Sequence, residues 1–102
     1  DERKVLEGAS VVGMECSCVA IAAGLDEPIE WVEDHCEALV RRHQFLGSGR
    51  VVELPDGTLT PRYKFSHVLY LEVPYRLLAP MRRAQIHGRI GRWNRLSHPR
   101  NS

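Results

Sequence analysis

Apolar residues recur at helical spacing through the first third of the chain. Val5, Leu6, Ala9 and Val12 form one stripe across residues 2–12, and Gly13 ends that helix. A short second helix is predicted over Ser17 to Ala23, with Ser17 as N-cap and Gly24 as its stop. The third is the clearest. Pro28 sits in its first turn, and Ile29, Val32, Cys36, Leu39 and Val40 line one side. Acidic residues crowd its start and Arg41, Arg42 and His43 its end, as the helix dipole favours.

The period then changes. Phe45 to Leu54 reads as a strand leading into Pro55-Asp56-Gly57, a type I turn closed by a glycine at positive φ. The return strand runs from Thr58 to Phe65 with Leu59, Tyr63 and Phe65 among its hydrophobes, and Pro61 marks it as an exposed edge. A fourth helix is expected from near Ser66, with Leu69, Tyr70, Val73 and Leu77 on one side. Pro74 should bend or split it. Pro80 opens a fifth helix to about Leu96, carrying Met81, Ile86, Ile90 and Trp93. The expected class is α+β and mainly helical. Its architecture is a winged helix (three helices and a two-stranded β-hairpin wing) with a C-terminal helical extension. Residues 1–66 would form the core, 67–96 the packed helices and 97–102 a polar tail, within a single domain.

Composition bounds this picture without changing it. At 102 residues, 43% hydrophobic and 26% charged, the chain can bury a core without disulfides. No run of about 20 apolar residues offers a membrane span. The chain opens on Asp-Glu-Arg-Lys without an initiator Met or a secretory leader, so an excised piece of a longer cytoplasmic protein is expected. Cys16, Cys18 and Cys36 are an odd number, consistent with a reducing compartment. Cys16-x-Cys18 and the His35-Cys36 pair lack the spacing of a zinc site, and nothing pairs a cysteine with a histidine base. Buried small hydrophobes are the expectation for all three. The net charge of +1 hides a division. Residues 1–37 carry ten acidic and two basic residues, a net −8, whereas residues 38–102 carry twelve basic and three acidic, a net +9.

Ser66 and His67 stand where the hairpin runs into the fourth helix. The first turn of a helix gathers unpaired N–H groups and partial positive charge, a place suited to a phosphate. A histidine there can also be an ordinary helix-start residue or fill space under the wing. Other motifs do not decide between these readings. His87 reads as a packing or surface residue, and Arg82, Arg83, Arg89, Arg92 and Arg95 make a basic helix suited to solubility or to docking on an acidic surface.

In this order, several segments resemble the winged-helix domain of STAND proteins, multidomain signal-transduction ATPases with an AAA-like module. The resemblance runs over about residues 4–93. It is carried by Val5-Leu6-Glu7-Gly8-Ala9-Ser10-Val11-Val12-Gly13, Cys36-Glu37-Ala38-Leu39-Val40 and Gln44-Phe45-Leu46, and most specifically by Pro55-Asp56-Gly57, Tyr63-Lys64-Phe65-Ser66-His67 and Arg82 to Gly91. Cys16 and Pro74 depart from the family pattern. The resemblance implies a regulatory, non-catalytic domain lying between a nucleotide-binding module and a helical-repeat sensor. It also implies that His67 contacts the phosphate of ADP bound in that module and helps hold the closed state. ADP or ATP would belong to the parent protein and no cofactor to this domain alone. A Walker A pattern, GxxxxGK[ST], is absent from the 102 residues, so hydrolysis would reside elsewhere.

The rival expectation is a DNA-binding winged helix of a transcriptional regulator, with Arg41, Arg42, Arg50, Arg62 and Lys64 as contacts. Its weakness is charge. The front of the third, recognition helix carries Glu27, Glu30, Glu33, Asp34 and Glu37, which repel phosphates.

Overall fold

The computed structural model describes residues 2–42, 45–54, 56–57 and 59–97. Among them are five helices and three strands, in the order α1 (Glu2–Val12), β1 (Glu15–Ser17), α2 (Cys18–Leu25), α3 (Ile29–Arg41), β2 (Leu46–Glu53), β3 (Leu59–Phe65), α4 (Val68–Leu77) and α5 (Pro80–Ser97). The class is α+β and mainly helical. His43, Pro55, Thr58 and the tail from His98 lie outside the described residues.

The strands form one antiparallel sheet in the order β1-β3-β2. Sequence periodicity predicts the β2–β3 hairpin but not β1, whose three residues are too few to alternate. They become a strand because β3 offers a partner, pairing Glu15 with Lys64, Cys16 with Tyr63 and Ser17 with Arg62. This corrects the reading of β3 as an edge, since it is the central strand. Pro61 is tolerated because β1 ends opposite Arg62, leaving β3 a neighbour on one side only at that point. The hairpin closes as expected, with the Gly57 N–H on the Leu54 carbonyl at 2.9 Å and Gly57 at φ +89°. Between Ser48 and Val51 the register slips. Gly49 allows it, because a Cβ there would lie 2.8 Å from the Arg62 carbonyl oxygen.

Helix ends follow local chemistry with two differences. Ser17 caps α2 as expected, its Oγ accepting the Ala20 N–H at 3.2 Å. Gly24, however, lies inside α2 and does not stop it. Asp26 ends the helix in the left-handed region, φ 57° and ψ 48°, a conformation aspartate tolerates better than most residues. Gly24 serves packing instead, for a Cβ there would sit 2.9 Å from Ile90 and 3.0 Å from Ile86 of α5. The second difference is Pro28, which is the N-cap of α3 and not part of its first turn.

The core lies between the sheet and helices α1, α2, α3 and α5. Val5, Ile21, Val32, Leu39, Leu46, Tyr63, Phe65 and Ile86 are fully enclosed. Each large apolar side chain contributes roughly 1.5–3 kcal/mol on burial. The three cysteines join this core, as their expected role requires. α4 is the exception, with no buried residue. It continues through Pro74 to Leu77 and packs mainly on α1. No helix among the described residues is long and apolar enough to cross a membrane.

Candidate functional site

The hairpin delivers the chain into α4 through a short, well-bonded junction. The Ser66 N–H donates to the Phe45 carbonyl at 2.8 Å, so the start of β2 and the end of β3 are tied together. His67 follows in extended conformation, φ −154° and ψ 148°, as the N-cap of α4. Its Nδ1 accepts the Leu69 N–H at 3.1 Å, and its carbonyl accepts the Tyr70 N–H at 3.0 Å. His67 therefore stands one residue before the helix and satisfies two N–H groups of its first turn. An accepting Nδ1 leaves the ring proton on Nε2, and the side chain is exposed. The available chemistry at this point is one N–H donor held by a fixed ring.

Aromatic contacts brace the junction. His67 meets Tyr70 edge-on at 6.2 Å between ring centroids, and Tyr70 meets Phe45 edge-on at 5.1 Å. Phe45 takes φ +67°, a conformation a bulky residue rarely adopts, and such strain collects at functional sites. Beyond the junction, Leu69, Tyr70, Val73, Pro74 and Leu77 of α4 face Leu6 of α1 together with Leu39 and Phe45. They enclose an apolar groove of about 520 Å³. Leu69 and Val73 each keep 54% of their surface exposed, and Leu77 keeps 65%. The charged residues of the rim are already matched, Glu2 to Arg42 and Glu7 to Arg3. Periodicity places the apolar side of α4, but its exposure is a tertiary fact and sequence reasoning misses the groove.

The residues expected to touch DNA are spread over two regions and partly spent. Arg41 is exposed at the end of α3, while Arg42, the C-cap, pairs with Glu2. Arg62 of β3 reaches Glu15 at 3.4 Å, and Lys64 is exposed on the same strand. Arg50 falls in the irregular stretch of β2, and its side chain lies outside the described residues. Along α3, Glu30, Glu33 and Asp34 carry the negative charge, and Glu37 accepts the Tyr63 hydroxyl at 2.7 Å.

The remaining reactive side chains are structural. Burial pushes the Cys16 and Cys18 thiols up to about 12, and the Cys36 thiol also upward, so all three stay protonated at neutral pH. Cys16 Sγ points at the Tyr63 carbonyl and Cys18 Sγ at the Ile29 carbonyl, each at 3.6 Å. Among the described residues, no group of three or more His, Cys, Asp or Glu side chains could hold a metal ion. His87 lies 3.3 Å from the Tyr75 hydroxyl. Arg83 stacks on the Tyr75 ring at 4.4 Å and donates to the Tyr75 and Leu78 carbonyls, fastening the corner between α4 and α5.

No protein-family model, no curated protein and no solved structure matches the chain.

Proposed function

We propose that this chain is a regulatory winged-helix domain of a STAND-type signalling ATPase, coupling nucleotide state to neighbouring sensor and output regions. The element order supports the architecture, with three helices, a small antiparallel sheet containing a hairpin, and two helices beyond it. The observation that carries the functional reading is His67. It caps α4 at the hairpin-to-helix junction through Nδ1, and its exposed ring keeps the Nε2–H as a remaining donor.

An ADP phosphate fits this donor set as one half of a site. His67 and the turn it caps consume the Leu69 and Tyr70 N–H groups, leaving the ring donor as this chain's side-chain contribution. The adjacent nucleotide-binding module would hold the remainder of the nucleotide. Its other partner in the same chain would be a helical-repeat sensor, in a cytoplasmic protein. The domain itself is non-catalytic. The exposed apolar side of α4, the helix that His67 caps, supports a packed neighbour at this face.

The DNA-binding alternative is weaker. Glu30, Glu33 and Asp34 repel a phosphate backbone from α3, while Arg42 and Arg62 are engaged by Glu2 and Glu15. The deciding experiment replaces His67 by Ala in the full-length parent and measures ADP affinity and resting activity. Weaker ADP binding with raised resting activity is expected. Unchanged values of both would sink the proposal.

A further inference from the structure

Opposite charges on this molecule gather on separate helices that do not neutralise one another. α5 carries Arg82, Arg83, Arg89, Arg92 and Arg95 and no acidic residue over its 18 positions. Arg83 is spent on the Tyr75 and Leu78 carbonyls and Arg89 on the Gly24 carbonyl at 3.3 Å. Arg82 adds its field to that of Lys4 around Glu27. Arg92 and Arg95 are exposed, and among the described residues neither makes an ion pair or hydrogen bond. On α3, Glu30, Glu33 and Asp34 recur at i, i+3 and i+4, so they share one outer face. They too make no ion pair among the described residues.

We propose that this chain self-associates head to tail, the arginine face of α5 in one copy seating on the acidic face of α3 in the next. The charge spacing matches: Arg92 and Arg95 lie about one helical turn apart, as do Glu30 and Asp34. Guanidinium forks pair with carboxylates bidentately, and all five cations of α5 are arginines. With a net charge of +1, two copies do not repel each other as wholes, so local complementarity decides their approach.

Two further observations suit the contact. Gly88 stands exposed inside α5, and a Cβ added there would meet nothing within 4 Å. Glycine weakens a helix interior, and nothing among the described residues requires it at this position, whereas a facing helix gains a close approach. Leu96 beyond the arginines and Ile29 before the acids are 80% and 44% exposed, which places an apolar contact at the end of each charged face. Asp26 lines a cleft with Arg89 and Arg92, and among the described residues it sits beside these arginines without an ion pair to either. Because the two faces differ, the contact is heterologous and uses one of each per copy. It involves neither His67 nor a nucleotide, and so stands apart from the function proposed above.

Sedimentation velocity of the 102-residue chain tests the proposal, at about 50 mM and about 500 mM salt. Concentration-dependent association is expected at low salt, weakened by about tenfold or more at high salt. The Arg92→Glu/Arg95→Glu chain should remain monomeric at low salt, and so should the Glu30→Lys/Asp34→Lys chain. An equimolar mixture of the two should associate again, because each altered face then meets its complement. The milder Arg92→Gln/Arg95→Gln chain, which keeps the surface polar, should weaken association in the same direction. A wild-type chain that stays monomeric at low salt overturns the proposal. So does association that survives either reversal, or a monomer that binds a 20-base-pair duplex through Arg92 and Arg95.

Discussion

The phenol of Tyr63 donates a 2.7 Å hydrogen bond to the Glu37 carboxylate, tying the central strand β3 to the middle of α3. Tyr63 keeps 1% of its surface exposed, so its ring fills the core while its hydroxyl reaches the margin. Hydrogen bonds to an ionised partner contribute more than neutral ones. Tyr63→Phe should therefore lower stability by about 1–2 kcal/mol without altering the fold. Glu37→Gln, which keeps an acceptor, should cost less. Urea unfolding of the three chains checks the order, and a Tyr63→Phe chain as stable as the wild type would contradict it.

Stability should fall on the alkaline side. Burial pushes Cys16 and Cys18 from 9.0 in the unfolded chain to about 12, and burial followed by the Glu37 hydrogen bond pushes Tyr63 upward from 10.0. Each group has a higher pKa folded than unfolded, so its contribution is complete below pH 9. It is lost progressively as the unfolded state sheds protons that the native state retains. Denaturation midpoints at pH 7.5, 9 and 10.5 should descend in that order. Replacing the three cysteines by alanine should flatten the descent. A wild-type midpoint that rises across this range would reverse the sign and refute the account.

The irregularity in β2 depends on one missing side chain. A Cβ on Gly49 would lie 2.8 Å from the Arg62 carbonyl oxygen, a backbone atom held in the sheet. Gly49→Ala should lose about 1–3 kcal/mol or shift the register of the hairpin. Gly47→Ala is the control, since a Cβ there would have its nearest neighbour at 3.9 Å. Thermal unfolding of both variants separates this local clash from a general intolerance of alanine in β2.

What the sequence disclosed was mostly what neighbouring residues decide among themselves. The buried positions Val32, Cys36 and Leu39 of the α3 stripe, the Ser17 cap and the Gly57 turn all rest on interactions within a few positions and stand where expected, whereas Ile29 at the start of that stripe is left exposed. β1 and the packing role of Gly24 depend on residues far along the chain, Tyr63 for one and Ile86 and Ile90 for the other, so local pattern is silent about them. The same holds at the candidate site. The hairpin-to-helix junction is readable from composition, but the cap geometry of His67 and the exposure of Leu69, Val73 and Leu77 follow from how α4 lies on α1.

His67 has two separable roles, and the choice of substitution distinguishes them. As N-cap it accepts the Leu69 N–H, a function asparagine performs at least as well and alanine not at all. His67→Ala should therefore destabilise the isolated chain by about 0.5–2 kcal/mol, whereas His67→Asn should leave its stability unchanged or slightly raised. If Nε2 also donates to a nucleotide phosphate, the Asn variant loses a donor placed at the reach of the imidazole while the helix stays capped. In the full-length parent, both variants should then weaken ADP binding, although one leaves the domain fully stable. Should His67→Asn retain wild-type ADP affinity while His67→Ala does not, the effect of alanine would trace to the helix end and not to a phosphate contact.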